Sequence, residues 1–216
     1  MAKFIEDIHN LYNILAGKNV ATKQPPERID QVLYEVTIGI FNDNYKHYVK
    51  TQEISDFLLP FKRVDTLTLS SGKKDIPTDY AHHRMTTLPN GVEIPMVEDK
   101  FWSKRAYRKL SPPTTAAPIC RIENTNADPS VSQIEVFPVV PSVLFYYFKK
   151  PTKAKYAYDK EGTRYIYNDT DSVDSDFGVL LFPQIAMKVL SRFGINLREQ
   201  QVIQYAEAMK AQESTK

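Results

Sequence analysis

The stretch SVLFYYFKKP, residues 142–151, decides the fold class, because it is apolar at every position from Val143 to Phe148. Successive side chains of a strand point to opposite faces, so a run of this kind predicts a strand that is covered on both faces. The stretch therefore predicts the central strand of a sheet. Four other segments have the alternation or the turn residues of strands: VDTLTLSSGKKDIP (64–77), YAHHRMTTLPNGVEIPMV (80–97), ICRIEN (119–124) and SQIEVFP (132–138).

Turn signals divide two of these segments. Ser71-Gly72 predicts a turn within 64–77, and Asn90-Gly91 predicts a hairpin of two strands within 80–97. The segment EDKFWSKRAYRKL (98–110) is either a short helix or an extended charged arm.

A second predicted hairpin, YAYDKEGTRYIY (156–167), follows the central strand. Residues 159–162 form its turn, in which Gly162 supplies the left-handed conformation. Alternation places Ala157, Arg164 and Ile166 on one face. The opposite face carries four tyrosines: Tyr156, Tyr158, Tyr165 and Tyr167.

Helices are predicted before the strands. The first covers 4–17, and the second covers 25–49, where proline suits the first turn. A third helix is expected to begin at Thr51 as its N-cap and to place Ile54, Phe57, Leu58 and Phe61 on one side.

The second helix has two apolar stripes, whereas a surface helix needs only one. Burial on two sides, in a bundle or between subunits, would explain both. One stripe is Ile29, Val32, Leu33, Val36 and Ile40, and the other is Tyr34, Ile38, Phe41, Tyr45 and Tyr48.

Two further helices, 179–194 and 196–212, close the chain. An order of helices, strands and helices predicts an α+β fold, in which the terminal helices form a small bundle and the strands form an inserted antiparallel β-sheet region. The predicted divisions are 1–62 for the N-terminal helices, 63–170 for the inserted region and 171–216 for the C-terminal helices.

The composition of the 216 residues excludes several classes of protein. Lys and Arg number 28 and Asp and Glu number 26, so a net charge of +2 does not by itself indicate a nucleic-acid-binding protein. Cys120 is the only cysteine, which excludes an internal disulfide and a cysteine-based metal cluster. We expect no N-terminal export signal and no membrane span, because no run approaches about 18 apolar residues.

Candidate catalytic and metal-binding groups have simpler explanations. His82 and His83 are neighbours on a predicted strand and point apart, and Cys120 has no nearby base, which is typical of a buried thiol. In NDTDSVDSDFG (168–178), Ser172, Asp174 and Asp176 do not have EF-hand spacing and are expected to begin a helix. Phosphate-binding and nucleophile-elbow motifs are absent from the sequence. We therefore expect no enzyme, no cofactor and no metal.

Two basic stretches, 102–109 and 149–155, are candidates for contact with phosphates, although a solvated or interface face is the commoner role. The order of several motifs along the chain is more informative. They are DFLLPF (56–61), IPTDYAHH (76–83), SPPTTAAP (111–118), IEVFPVVPSVLFYYFKKP (134–151), DSVDSDF (171–177) and GINLREQQVIQYAEAMK (194–210).

In this order, and over nearly the whole chain, the sequence resembles the head-to-tail adaptor or connector-ring proteins of short-tailed bacteriophages, especially those of the crAss-like group. The resemblance implies a structural virion protein without a cofactor. Such subunits form rings, usually twelvefold, below the portal protein and extend the DNA channel toward the next tail or ring protein. The basic segment 98–110 departs from the pattern.

A ring contact joins two different flanks of each subunit. We therefore expect the subunit interface to use Tyr34, Ile38, Phe41 and Tyr45 of the second helix and Tyr156, Tyr158, Tyr165 and Tyr167 of the hairpin. Genomic DNA is expected to pass through the ring without sequence-specific contacts, and its path is expected to be lined by Lys149, Lys150, Lys153 and Lys155. The C-terminal helix and tail are expected to dock on the portal, with the tail residues Gln212, Glu213, Ser214, Thr215 and Lys216.

A different class of protein also fits the tyrosines and lysines. In this alternative, the chain is a single-stranded nucleic-acid-binding module whose Tyr/Lys-rich sheet stacks bases. Binding of short oligonucleotides by the isolated monomer distinguishes this alternative from a ring subunit.

Overall fold

The fold is α+β, as predicted. A computed structural model describes residues 4–18, 24–124, 132–162, 164–177 and 181–195. The chain divides into two compact units, which we call the helical unit (1–60 and 151–216) and the β unit (61–150). The α-helices of the described residues are α1 (Phe4–Lys18), α2 (Pro26–Thr51), α3 (Asp99–Ala106) and α4 (Phe182–Arg192).

The β unit contains two three-stranded antiparallel sheets, one in the order β1-β6-β3 and the other in the order β2-β5-β4. The prediction from residues 142–151 is confirmed, because β6 is the central strand of its sheet. The strands are β1 (Lys62–Thr68), β2 (Lys73–Asp75), β3 (Tyr80–Thr87), β4 (Ile119–Asn124), β5 (Ser132–Phe137) and β6 (Ser142–Lys149).

One apolar core holds the β unit together. Val143, Phe145 and Tyr147 of β6 lie in a buried cluster with Ile134 and Val136 of β5. Burial of a large apolar side chain stabilises a fold by roughly 1.5–3 kcal/mol, so this cluster is a major source of stability for the unit.

In the helical unit, α1, α2 and α4 pack on one another. The ring of Phe4 meets that of Phe182 edge-on at 5.4 Å, and Tyr12 lies 4.9 Å from Phe193, just after α4. The unit also contains the predicted second hairpin, with strands β7 (Tyr158–Glu161) and β8 (Arg164–Tyr167). Its contacts therefore place this hairpin with the helices, whereas the sequence placed it in the inserted region 63–170. The predicted helix 196–212 lies outside the described residues.

The third helix was predicted wrongly. Thr51 is the last residue of α2 instead of an N-cap, because Gln52 adopts a left-handed conformation and its amide bonds to the carbonyl of Tyr48. A short 3-10 helix, Asp56–Phe61, takes the place of the expected α-helix and includes Pro60, which has no N–H to donate.

The hairpin predicted around Asn90-Gly91 is only partly correct. The turn is present, and the amide of Gly91 bonds to the carbonyl of Leu88. The second strand is reduced to a single bridge between Thr87 and Glu93. Pro95 lacks the N–H that a longer ladder would require, which is a physical reason for the short pairing.

The acidic segment 168–177 serves a different helix from the one expected. Asp174 accepts hydrogen bonds from the backbone amides of Phe4 (3.1 Å) and Ile5 (3.0 Å), the first residues of α1. Ser172 and Asp176 accept amides of the segment that precedes β7. Asp174 therefore caps α1 in place of the following helix, whose first residues, 178–180, lie outside the described residues.

Candidate functional site

The tyrosine face of the second hairpin is the candidate site, and it consists of Tyr156, Tyr158, Tyr165 and Tyr167. The alternation predicted for these four residues is confirmed. Tyr158 pairs with Tyr167 in the ladder, the rings of Tyr156 and Tyr167 lie 5.1 Å apart, and those of Tyr158 and Tyr165 lie 4.7 Å apart. Gly162 has the expected positive φ of 61°. The turn is tighter than expected, since Asp159, Lys160 and Glu161 belong to β7.

Part of the tyrosine face is fastened to helices of the same unit. The ring of Tyr156 stacks on that of His9 in α1 at 4.1 Å, and the Tyr156 amide donates to Asp30 of α2 at 2.9 Å. The Tyr158 hydroxyl donates to Glu27 of α2 at 2.5 Å. These two tyrosines therefore have structural partners within the chain.

The hydrogen bond between Tyr158 and Glu27 changes the acidity of both groups. It raises the pKa of the Tyr158 phenol to about 12 and lowers the pKa of the Glu27 carboxyl. Burial raises the pKa of Tyr156. At neutral pH the Tyr158 phenol is thus neutral and donates a hydrogen bond to the Glu27 carboxylate.

The outer end of the hairpin remains open. The side chain of Tyr165 is 47% exposed, and that of Ile166 on the opposite face is 42% exposed. The Lys160 Nζ lies 5.9 Å from the ring centre of Tyr158 and 5.7 Å from that of Tyr165. This end therefore offers apolar area, a ring and a positive charge to a partner.

The second stripe of α2 is more covered than the sequence suggested. Phe41 is only 3% exposed, so it belongs to the core and not to a free surface. Tyr34, Ile38 and Tyr45 are half-buried, and burial raises the pKa of Tyr45. Lys153 lies over the ring of Tyr34 at 6.0 Å. An interface on this stripe is therefore limited to the exposed edges of these three side chains and of Tyr48, which is also half-buried.

The four lysines predicted to face DNA are divided between the two units. Lys149 and Lys150 end the β unit, and Lys153 and Lys155 begin the second part of the helical unit. Lys155 lines a groove of about 410 Å³ together with carboxylates of Glu27, Asp159 and Asp171. Acidic surroundings weaken the attraction of Lys155 for phosphates.

Sequence reasoning missed a buried hydrogen bond between His9 and Asp30 that positions the hairpin. His9 is 1% exposed and Asp30 is 7% exposed, and the His9 Nε2 donates to the Asp30 Oδ1 at 2.8 Å. A signal was present, because both residues interrupt apolar stripes, beside Ile8 in α1 and beside Ile29 in α2. A charged group on a buried face requires a partner, and two such groups on neighbouring helices are suitable partners.

The remaining titratable candidates lie in the β unit. Cys120 is fully buried, and burial raises the pKa of its thiol to about 12, so the thiolate nucleophile is suppressed at neutral pH. Burial lowers the pKa of His82, and it lowers that of His83 to about 4. Among the described residues, no group of three or more His, Cys, Asp or Glu side chains is arranged to hold a metal ion.

The predicted docking residues 212–216 lie outside the described residues. Within the described part of the chain, no helix has both the length and the apolar character needed to cross a bilayer. Comparison of the whole sequence with protein-family models and with curated proteins gave no match.

Proposed function

We propose that this protein is a structural virion subunit that forms a ring below the portal protein, connects the phage head to the tail and extends the DNA channel. The motif order described for the sequence supports this proposal. The observation that carries it in the structure is the open outer end of the hairpin, where Tyr165 and Ile166 expose apolar area. Tyrosine is enriched in protein contacts, where its ring buries apolar area and its hydroxyl keeps a hydrogen bond.

The exposure of the side chains guides the choice of residues for the proposed contact. Tyr156 and Tyr158 hold the hairpin on the helices and so position the surface. Tyr165, whose side chain is 47% exposed, supplies the ring that is open to a partner. Ile38 and Tyr34 of α2 present a second, different surface in the same unit. Two unlike surfaces are what a head-to-tail ring requires of each subunit.

Two substitutions test the proposed contact. Tyr165→Asp and Ile38→Asp each place a charge in the interface, and we expect both variants to remain folded but to lose ring formation, alone or with the portal protein. Native mass spectrometry measures assembly, and circular dichroism measures folding. Val92→Asp is the matched control, because Val92 is 42% exposed in the β unit and belongs to neither proposed surface.

Three results would contradict the proposal. A wild-type protein that stays monomeric at high concentration beside the portal and the other tail components would exclude a ring. Ring formation that survives both Asp substitutions would exclude this contact. A collapsed circular-dichroism spectrum for Tyr165→Asp would show that Tyr165 belongs to the core.

Docking of the C-terminal tail on the portal is tested separately by deletion of residues 211–216. We expect the shortened protein to bind the portal more weakly while it still forms rings. Unchanged portal binding would remove these residues from the docking site.

Single-strand binding is the second candidate, and the position of Lys160 over two tyrosine rings favours it. Cations beside stacked rings are a common feature of sites for single strands. This function requires micromolar or tighter binding of oligonucleotides by the monomer at physiological salt, with loss of binding in Tyr165→Ala. The ring proposal expects no oligonucleotide binding at the tyrosine face, so Tyr165→Ala should leave the affinity for oligonucleotides unchanged.

A further inference from the structure

The segment Glu98–Leu110, which we call the basic arm, is firmly attached to the β unit. It consists of Glu98, which is the N-cap of α3, the helix itself and the four residues that follow it. Ala106 is buried with Val97 and Ile119, and Trp102 packs against the same cluster. The guanidinium of Arg121 in β4 lies 4.8 Å from the centre of the Trp102 ring. The side of the arm that packs on the β unit therefore fixes the position of the side that faces solvent.

The carboxylates of the basic arm already have partners. Glu98 pairs with Lys100 at 2.6 Å, and Asp99 pairs with Arg121 at 3.4 Å. The acidic side chains of the neighbouring sheet are also engaged, since Glu123 and Glu135 bind Arg121 at 2.6 and 2.5 Å. The acidic groups on and beside the arm therefore do not neutralise its remaining cations.

Four cations of the basic arm are exposed, and within the described residues none of them makes an ion pair or a side-chain hydrogen bond. They are Lys104, Arg105, Arg108 and Lys109. Lys104 and Arg105 lie in the last turn of α3, where the negative end of the helix dipole favours positive charge. Arg108 and Lys109 follow the helix, so the dipole does not explain them.

The apolar neighbours of these cations are unusually open. Tyr107 is 75% exposed and Leu110 is 93% exposed, although one side of the Tyr107 ring approaches Phe137 at 5.9 Å. A charged surface that contacts only water does not require an exposed aromatic ring or an exposed leucine side chain. Together they give the surface an apolar component that a partner could cover.

We propose that the basic arm binds the backbone of a nucleic acid, with the four cations on phosphates and the Tyr107 ring on a base where the strand is single. Charge complementarity selects this partner, because phosphates offer a row of anions and the planar fork of arginine binds a phosphate through two hydrogen bonds. Stacking of bases on aromatic side chains tolerates any sequence, so the contact is non-specific. The proposed contact uses none of the residues of the tyrosine face and does not depend on ring formation.

The test measures fluorescence anisotropy of labelled 20-nucleotide single strands and duplexes with the full-length protein, from 50 to 200 mM salt. Four phosphate contacts predict a slope of about −3.6 in log affinity against log salt for the duplex. The double variant Arg108→Ala, Lys109→Ala should bind at least tenfold more weakly at 50 mM salt and should reduce the slope by about 2. Tyr107→Ala should weaken single-strand binding by about tenfold and leave duplex binding nearly unchanged.

The matched control is the double variant Lys50→Ala, Lys74→Ala, which removes the same charge from exposed positions elsewhere. An equal loss in this control would overturn the proposal in favour of a diffuse charge effect. Loss only in Lys150→Ala, Lys153→Ala would assign binding to residues 149–155 instead. Absence of nucleic-acid binding at 50 mM salt would also overturn the proposal. Displacement of DNA by polyglutamate at equal charge concentration would overturn it in favour of an acidic polypeptide as the partner.

Discussion

At the scale of single residues, Asp30 connects three parts of the helical unit. One carboxylate oxygen accepts from His9 of α1 and the other from the amide of Tyr156, while the residue itself belongs to α2. A buried carboxylate with both oxygens bonded stabilises the fold only while both partners are present. The position of the hairpin on the helices therefore depends on this side chain.

Asp30→Ala should lower the free energy of unfolding of the helical unit by about 3 kcal/mol, because it leaves the buried His9 ring and the Tyr156 amide unpaired. Urea unfolding followed by circular dichroism measures the change. Asp43→Ala, on the exposed side of α2, is the control and should alter stability by less than about 0.5 kcal/mol. Equal effects of the two substitutions would contradict the role of Asp30.

His83 makes the stability of the β unit depend on pH. Burial beside Phe145 lowers its pKa to about 4, from an ordinary value of 6.5. Above pH 6.5 the ring is neutral in both states and contributes no pH dependence. Between pH 6.5 and 4 the unfolded chain binds a proton that the folded protein does not, so the free energy of unfolding falls as pH falls.

We expect this loss to approach about 1.4 kcal/mol for each pH unit within that window. His83→Gln, which retains a polar group near Thr86, should make the decrease between pH 6.5 and 4.5 smaller. The control is Gln31→Ala at an exposed position of α2, which removes no titratable group and should leave the decrease unchanged. The measurement is urea unfolding at several pH values, and an identical pH dependence in wild type and His83→Gln would contradict the assignment.

At the scale of elements, the turn between β1 and β2 depends on close backbone approach. Gly72 has a φ of 80°, and its carbonyl accepts from the amide of Val136 in β5. A Cβ at this position would lie 2.9 Å from the Val136 carbonyl oxygen and 3.2 Å from a methyl group of Val139. The oxygen belongs to a paired strand, so it cannot move without distortion of the sheet.

Gly72→Ala should therefore lower the free energy of unfolding of the β unit by about 2 kcal/mol or more, through a strained φ and a steric clash. Gly91→Ala is the matched variant, since Gly91 has a φ of 88° but open space around the added methyl group. Its cost should be about 1 kcal/mol, from backbone strain alone. Thermal unfolding of both variants measures the difference, and equal losses would show that the approach to Val136 is not restrictive.

Local patterns in the sequence predicted most elements. The apolar run of β6, the stripes of α1 and α2 and the turn at Gly162 each depend on neighbouring residues, and all are present. The errors arose where contacts between residues distant in sequence determine the local structure. Thr51 resembles an N-cap locally, yet the helix before it continues to this residue. Asp174 resembles a cap for the next helix, yet it lies beside the amides of α1.

For the candidate site too, the sequence predicted the local features and missed the contacts between distant residues. Alternation was sufficient to gather the four tyrosines on one face. It could not show that Tyr156 would stack on His9 or that Tyr158 would bond to Glu27, because these contacts connect residues more than 100 positions apart. The burial of Phe41 was hidden for the same reason, since periodicity identifies an apolar stripe without its partner.

At the scale of the whole molecule, the β unit is an insertion whose two ends meet. β1 begins the unit and β6 ends it, and the two strands are paired so that Lys62 lies opposite Phe148. A continuous segment with adjacent ends and its own core has the properties of an independent domain.

We therefore expect residues 61–150, expressed alone, to fold with a cooperative thermal transition and dispersed amide signals in NMR spectra. The same segment with Phe145→Ala is the control, and it should lose about 3–5 kcal/mol because Phe145 is fully buried in the core cluster. A fragment that shows broad, collapsed NMR signals at every temperature would show that the unit requires the rest of the chain.

The hydrogen bonds from α1 to Asp174 have a consequence for biosynthesis. Phe4 leaves the ribosome 170 residues ahead of the carboxylate that holds its amide, a delay of roughly 10–30 seconds at ordinary rates of translation. The inserted β unit is synthesised entirely within that interval. Nascent chains should therefore acquire their middle first, and the opening helix should gain its protection from hydrogen exchange only when the last quarter of the polypeptide arrives.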